Sequence, residues 1–306
     1  MRGDDVERSA LQEFDPSQDS VVHPRPPQLD EPLPQRVVLC FFPEVLAALD
    51  HDPAVRRIGA FSEEVMGGAI YAVEQDGHQV AITHPGMGGP LAAHRLEQLI
   101  AAGGRGFVVC GSAGALRPDL TMGAVVVPEA AVRDEGTSFH YATPSRHIAA
   151  DPTSVAIARQ VLVEAGVPYQ IGLTWTTDAD YRETAAKVDA RRAEGCLTVE
   201  MEAASLFAVA AFRQVALAQY LYAADDLSGP VWSSREWTSS PARQLLTDLA
   251  LRAAVRLHFG SAAGSSSVPV RRRSTDRSAT VTEPPPEKEL ATLRSWSWVD
   301  ARRKRR

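Results

Sequence analysis

The chain alternates short, almost wholly apolar runs with longer apolar stretches of helical length, and that alternation restricts it to one fold class. In order come "RVVLCFF", "AIYAV" and "QVAIT", then "LAAHRLEQLIAA", then "GFVVCG" and "GAVVVPEAAV". The second half continues with "SVAIARQVLVEAG", "YQIGLTW", "CLTVE", "MEAASLFAVAAF" and "VALAQYLYAA". The short runs are rich in β-branched residues and too evenly apolar to keep one wet face, so they read as strands covered by helices on both sides. The class is α/β, and a last helix over about 240 to 257 closes the domain.

The 306 residues, 44% of them hydrophobic, suffice for one large core or two small ones. Residues 1–35 are polar and Pro-rich ("HPRPPQLDEPLPQ"), and residues 259–306 are dominated by Ser, Pro and charge. Neither stretch carries enough apolar surface to offset its ordering entropy, so both are expected to be disordered tails around one domain at 36–258. No run approaches the roughly eighteen apolar residues of a membrane span, and the acidic first residues lack the apolar core of a secretory signal. A cytoplasmic protein without a membrane partner is expected. Cys40, Cys110 and Cys196 are odd in number and widely spaced in apolar surroundings, which fits small core residues and neither a disulfide framework nor a metal centre. The net charge of -6 conceals "RRR" at 271–273 and "RRKRR" at 302–306. Without a nucleic-acid-binding motif around them, these read as a solvated basic tail, and nucleic acid is not expected as a partner.

In open α/β sheets ligands bind beyond the carboxyl ends of the strands, so the residues following each apolar run locate the chemistry. After "QVAIT" comes "HPGMGGP", whose glycines, Gly86 among them, could present backbone N–H groups to an anion; an ordinary strand-to-helix turn reads the same way. After "GFVVC" comes "GSAGAL", with Ser112 between glycines, and neither a dinucleotide fingerprint nor a Walker A pattern occurs. After "YQIGL" comes "TWTTDADYRET", in which Trp175 and Thr176 suit a flat ring with polar edges, or alternatively a core Trp and a helix cap. After "VALAQYLYAA" come Asp225 and Asp226.

The remaining strand end is "LTVEMEAASLFAVA" at 197–210, where Glu200 and Glu202 flank Met201 at the head of an apolar helix. An acid at a helix start is favoured by the macrodipole, which accounts for one of the two. Two suggest carboxylates that hold a ligand, and a carboxylate can accept hydrogen bonds from the vicinal hydroxyls of a sugar. Together the five ends describe a pocket for a sugar carrying a flat ring. Cleavage between them would pass through an oxocarbenium-like sugar, with Asp225 placed to give the departing ring a proton.

"VEMEAA" at 199–204, "GSAGAL" at 111–116, "GMGGP" at 86–90, "VRDEGTS" at 132–138 and "TWTTDADYRET" at 174–184 resemble the motifs of the nucleoside phosphorylase family. That family includes purine nucleoside phosphorylases, uridine phosphorylases and methylthioadenosine/S-adenosylhomocysteine nucleosidases. The resemblance implies a single domain with a central mixed β-sheet flanked by helices, forming a homo-oligomer whose substrates are a nucleoside and phosphate. It also implies residue roles: Glu202, with Met201 and Glu200 beside it, at the ribose; Gly86 and Ser112 at the phosphate; Trp175 and Thr176 at the base; and Asp225 as the acid for a purine ring. No metal or organic cofactor is implied, phosphate serving as co-substrate.

The chain also departs from that pattern. Where phosphorylases of this kind carry phosphate-binding arginines it has Val109, "CFFPEVL" after the first strand, and no arginine near Met66. Arg133 is a candidate replacement. The Gln and Arg with which uridine phosphorylases read uracil have no counterpart at Thr184 and Ala186, and Asp180 replaces an aromatic. Glu44 lies where nucleosidases carry the carboxylate that activates water. Three readings follow: phosphorolysis as the leading one, then hydrolysis, then a nucleoside-binding protein without catalysis.

Overall fold

A computed structural model of the chain describes residues 9–62, 67–235 and 238–259. Met66, the N-terminal eight residues and the basic runs at 271–273 and 302–306 lie outside the described residues. The strands are β1 Gln28–Leu29, β2 Arg36–Cys40, β3 Arg56–Phe61, β4 Gly68–Gln75, β5 His78–Thr83, β6 Gly106–Ala115, β7 Val125–Asp134, β8 His147–Ala149, β9 Tyr169–Thr177, β10 Cys196–Glu200 and β11 Ala216–Asp226. The helices are α1 Pro43–Leu49, α2 Gly89–Ala101, α3 Pro152–Glu164, α4 Ala185–Ala193, α5 Ala203–Arg213 and α6 Ser240–Arg256. The fold is α/β, as the alternation predicts, and the sheet is mixed.

One sheet takes all of these strands, in the order β1-β3-β4-β5-β2-β6-β10-β9-β7-β11, with β8 beside β7 and β11 returning to pair with β6. Strands β6, β10, β9, β7 and β11 therefore close into a ring, and β2, β5, β4, β3 and β1 continue from it as an open sheet. The turning point is β6, which is long enough to serve two neighbours along one edge. Its first half, Gly106 to Cys110, runs parallel to β2, and its last residues, Gly114 and Ala115, pair antiparallel with Val199 and Thr198 of β10. Gly114 is required at that junction, because a Cβ there would stand 2.5 Å from Leu227 Cδ1 and 3.0 Å from Val199 Cγ1.

The helices cover both faces. Helices α3 and α6 pack together on β11, β6 and β2, and α2 and α5 pack together on the other side. Helix α5 is apolar all round and buried from Ala203 to Ala210, as expected for a helix enclosed by its neighbours. Its end is set by Gln214, which adopts a left-handed conformation with φ 56. Helix α3 starts where Asp151 accepts hydrogen bonds from the Thr153 and Ser154 N–H groups and Pro152 fills the first position. No helix among the described residues is long and apolar enough to cross a membrane.

One boundary differs from the sequence expectation. Residues 9–35 were expected to be a disordered tail, yet the structure lays them along the domain. Leu33 is buried in the main core, β1 adds to the sheet edge at Gly59 and Ala60 of β3, and the Gln18 side chain donates to the Phe212 carbonyl. Composition misses this because a few apolar residues at the right spacing, and backbone pairing that needs no side chain, hold the segment in place.

Candidate functional site

The two acids of "VEMEAA" take different partners. Glu200 ends β10 and turns back on the helix that follows: Oε2 accepts from the N–H groups of Glu202 at 2.8 Å and Ala203 at 2.6 Å, and Oε1 accepts from Thr176 Oγ1 at 2.6 Å. It therefore satisfies the first N–H groups of α5, the task of an N-terminal acid. Glu202, 8% exposed, reaches across to the glycine turn, where Oε1 accepts from the Gly88 N–H at 2.6 Å at the start of α2. No side chain among the described residues is bonded to Glu202, so lone pairs of its carboxylate remain available. Burial pushes both carboxyls well above the ordinary range, and the charge of Glu200 pushes Glu202 further.

The topology sets Ser112, on β6, between these acids at the end of β10 and Asp225 on β11. Val199 of β10 faces Gly114 of β6, and Met201 and Ser112 each lie two residues from that pair. Met201 is half-buried, and the hydroxyl of the half-buried Ser112 makes no hydrogen bond among the described residues. On the other edge of β6, Asp225 lies near the end of β11, with Oδ1 3.4 Å from where a Gly114 Cβ would stand. Its Oδ2 accepts from the indole N–H of Trp232 at 2.7 Å. Beside it is Glu183, whose carboxyl is pushed up to about 7, first by burial and then by the charges of Asp225 and Asp180. Sequence reasoning gave no role to Glu183, although it lies inside the quoted "TWTTDADYRET", or to Trp232, seven residues after Asp225.

Four expected contacts are placed otherwise. Trp175 has no exposed surface: it packs with Leu116, Val132 and Val199, and its indole donates to Asp134 Oδ2 at 3.0 Å. An aromatic enclosed in this way has no face for a base, so the core-Trp alternative describes it. Thr176 is also enclosed, donating to Glu200 and accepting from the Ala204 N–H at 3.0 Å. Arg133 is buried and holds the following loop, donating to Ser138 Oγ, Ser145 Oγ and the carbonyls of Thr143 and Ala142. Gly86, with φ +85, gives its N–H to His84 Nδ1 at 2.9 Å, so that donor is engaged within the turn.

Glu44 falls in the first turn of α1, just past the end of β2, and its Oε1 accepts from Arg243 Nη1 of α6 at 2.8 Å. Among the described residues no group of three His, Cys, Asp or Glu side chains could hold a metal ion. The cysteines are free and buried. A cavity of about 920 Å³ lies apart from the acids, between residues 15–25 and α2, and is lined by His94, His140, Asp178 and Arg213. None of Glu202, Met201, Ser112 or Asp225 lines it.

A ring of strands continued by an open sheet defines a mixed α/β protein, with carboxylates and glycine turns gathered at the strand ends, the place where open α/β sheets bind ligands. The family model described as the phosphorylase superfamily matches residues 35–257, and the chain belongs to that superfamily. The chain is 33% identical over 147 residues to the uridine phosphorylase of Thermococcus kodakarensis, a match covering 44% of this chain and 53% of that one. It is 33% identical over 141 residues to the guanosine phosphorylase of Halorubrum lacusprofundi, covering 46% and 58%. To the uridine phosphorylase of Escherichia coli it is 28% identical over 187 residues, covering 54% and 74%. The chain thus spans little more than half the length of the first two relatives.

Proposed function

We propose that the protein is a pentosyltransferase of the nucleoside phosphorylase type, which cleaves the N-glycosidic bond of a nucleoside with phosphate to give the free base and ribose 1-phosphate. The observation that carries this reading is the division of labour between the acids. Glu200 is occupied by the α5 N-terminus, while Glu202 is buried, fixed by one backbone N–H, and retains lone pairs for two vicinal hydroxyls. Met201 would pack beneath the pentose, and Ser112 would donate to phosphate.

In the reaction the bond from C1′ to the base nitrogen breaks with its electrons going to the base, and a phosphate oxygen forms the new bond to C1′. Asp225 delivers a proton or hydrogen bond to the leaving ring, an effect worth roughly 10²- to 10⁴-fold. With Glu183 beside it, the carboxyl pair favours a purine, whose ring nitrogen accepts the proton, over uridine. The relatives named for guanosine and for uridine leave both in the test panel. We further propose that the protein works in the cytoplasm as a homo-oligomer, needs no metal or organic cofactor, and binds neither membrane nor nucleic acid.

Hydrolysis is the second reading, and Glu44 favours it: the carboxylate stands half-exposed past the end of β2, where it could activate water. Incubating the full chain with a panel of purine and pyrimidine nucleosides, with and without phosphate, and following free base and ribose 1-phosphate, separates the readings. Phosphorolysis predicts base release only with phosphate. Equal release without phosphate establishes hydrolysis instead, and binding without release removes catalysis altogether.

A further inference from the structure

Phosphate carries about two negative charges near neutral pH, so a site for it calls for a cation and for hydroxyl or N–H donors. The fold brings a guanidinium from a distant part of the chain to the ends of β2 and β11. Arg243, in the first turn of α6 and 7% exposed, donates from Nε to Tyr222 Oη at 3.0 Å and from Nη1 to Glu44 Oε1 at 2.8 Å. Its guanidinium carbon lies 5.3 Å from the centroid of the Phe42 ring, and Nη2 donates to no described residue.

The strand register places Ser112 on the same side. Tyr222 of β11 and Ser112 of β6 are direct partners in a parallel pair, so their side chains leave the sheet on one face. Cys40 and Cys110 are partners two residues earlier, and the contact of Cys40 Sγ with Thr247 Oγ1 at 3.7 Å identifies that face as the one covered by α6. The unbonded Ser112 hydroxyl and the guanidinium of Arg243 therefore belong to one face at neighbouring positions.

We propose that Arg243 is the phosphate-binding cation of this protein, acting with the Ser112 hydroxyl, and that Glu44 is the counterion that phosphate displaces. This deepens the phosphorolytic reading and rests on it. A buried guanidinium requires a charge partner when the site is empty, and Glu44 provides one. The two partners differ in exposure: Arg243 is enclosed and oriented by Tyr222, whereas the Glu44 side chain is half-exposed and free to swing into water. Once Glu44 leaves, Nη1 and Nη2 form a fork for two phosphate oxygens, and the start of α6 adds a partial positive charge.

The test measures phosphate binding to the full chain without nucleoside, as the rise of Tm with phosphate concentration, and separately the KM for phosphate in turnover. Removing the competing carboxylate in Glu44→Gln should tighten phosphate about three- to tenfold. Arg243→Gln should abolish the phosphate-dependent rise of Tm while leaving nucleoside affinity unchanged, and Arg243→Lys should retain part of it. If Arg243→Gln fails to fold, Glu44→Gln decides alone. Phosphate binding that is unchanged or weaker in Glu44→Gln, or retained in Arg243→Gln, overturns the assignment while phosphorolysis stands. A wild-type chain that releases base without phosphate and shows no phosphate-dependent Tm overturns both.

Discussion

Replacing Glu202 with Gln separates the two properties attributed to this residue, its burial and its grip on the sugar. In the folded chain its carboxyl is pushed up to about 8, first by burial and then by Glu200. In the unfolded chain it returns to the ordinary value near about 4.5. Below that lower value both states are protonated and the group adds nothing to the pH dependence. As pH rises, the unfolded state ionises first and gains free energy that the folded state cannot match, so stability is lost from about pH 4.5 up through about pH 8. Glu200 competes for ionisation, so the part owed to Glu202 is taken as about two pH units, or about 3 kcal/mol at about 1.4 kcal/mol per unit. Gln keeps an oxygen to accept the Gly88 N–H but never ionises. The variant should therefore match the wild type below about pH 4 and exceed it near about pH 9 by about 3 kcal/mol, roughly 6 to 12 °C in Tm for a domain of this size. Its activity should fall about 10²- to 10³-fold above about pH 8, where the wild-type carboxyl is ionised and the amide cannot replace a carboxylate accepting from two hydroxyls, and by less at lower pH. Thermal unfolding across pH, with kcat/KM measured on the same samples, checks both arms. Parallel stability curves would refute the burial argument, and undiminished turnover would refute the sugar assignment.

Two further outcomes follow from the same geometry. Gly114→Ala places a methyl against Leu227 and Val199, so urea denaturation should show a loss of about 1 to 3 kcal/mol. Glu183 titrates at about 7 through burial and its neighbours Asp225 and Asp180, so Glu183→Gln should remove a transition near pH 7 from the pH profile of kcat/KM; an unaltered profile would separate Glu183 from the base pocket.

The succession of strands and helices was legible because each is encoded locally, by runs of apolar residues at one period. Elements with weak local signal were not: β3, written "RRIGAF", opens on two arginines, and β1 has only two residues. The acids of the site were legible as a pair, but their separate tasks were not, since the partner of Glu202 is Gly88, 114 residues away. Trp175 shows the same limit from the other side. A strand sends alternate residues to opposite faces, and the sequence does not say which face meets the ligand; Trp175 goes to the Val188 and Cys196 cluster, and Thr176 goes to Glu200. Arg133 reads as a phosphate cation because it is an arginine inside a recognised motif, "VRDEGTS". Its four partners all lie in the loop at 138–145, whose path depends on tertiary packing. Arg243 went unnoticed for the converse reason: it lies in an ordinary-looking helix, and only the packing of α6 onto β2 and β11 brings it to Glu44 and Tyr222.

The most direct trial of the account is a crystal structure of the full chain with a non-cleavable nucleoside analogue and phosphate. The pentose hydroxyls should lie within hydrogen-bonding distance, about 3 Å, of the Glu202 carboxylate, with the base beside Asp225 and the anion at Ser112. A ligand seated instead in the cavity beneath residues 15–25, with Glu202 bonded only to Gly88, would contradict it.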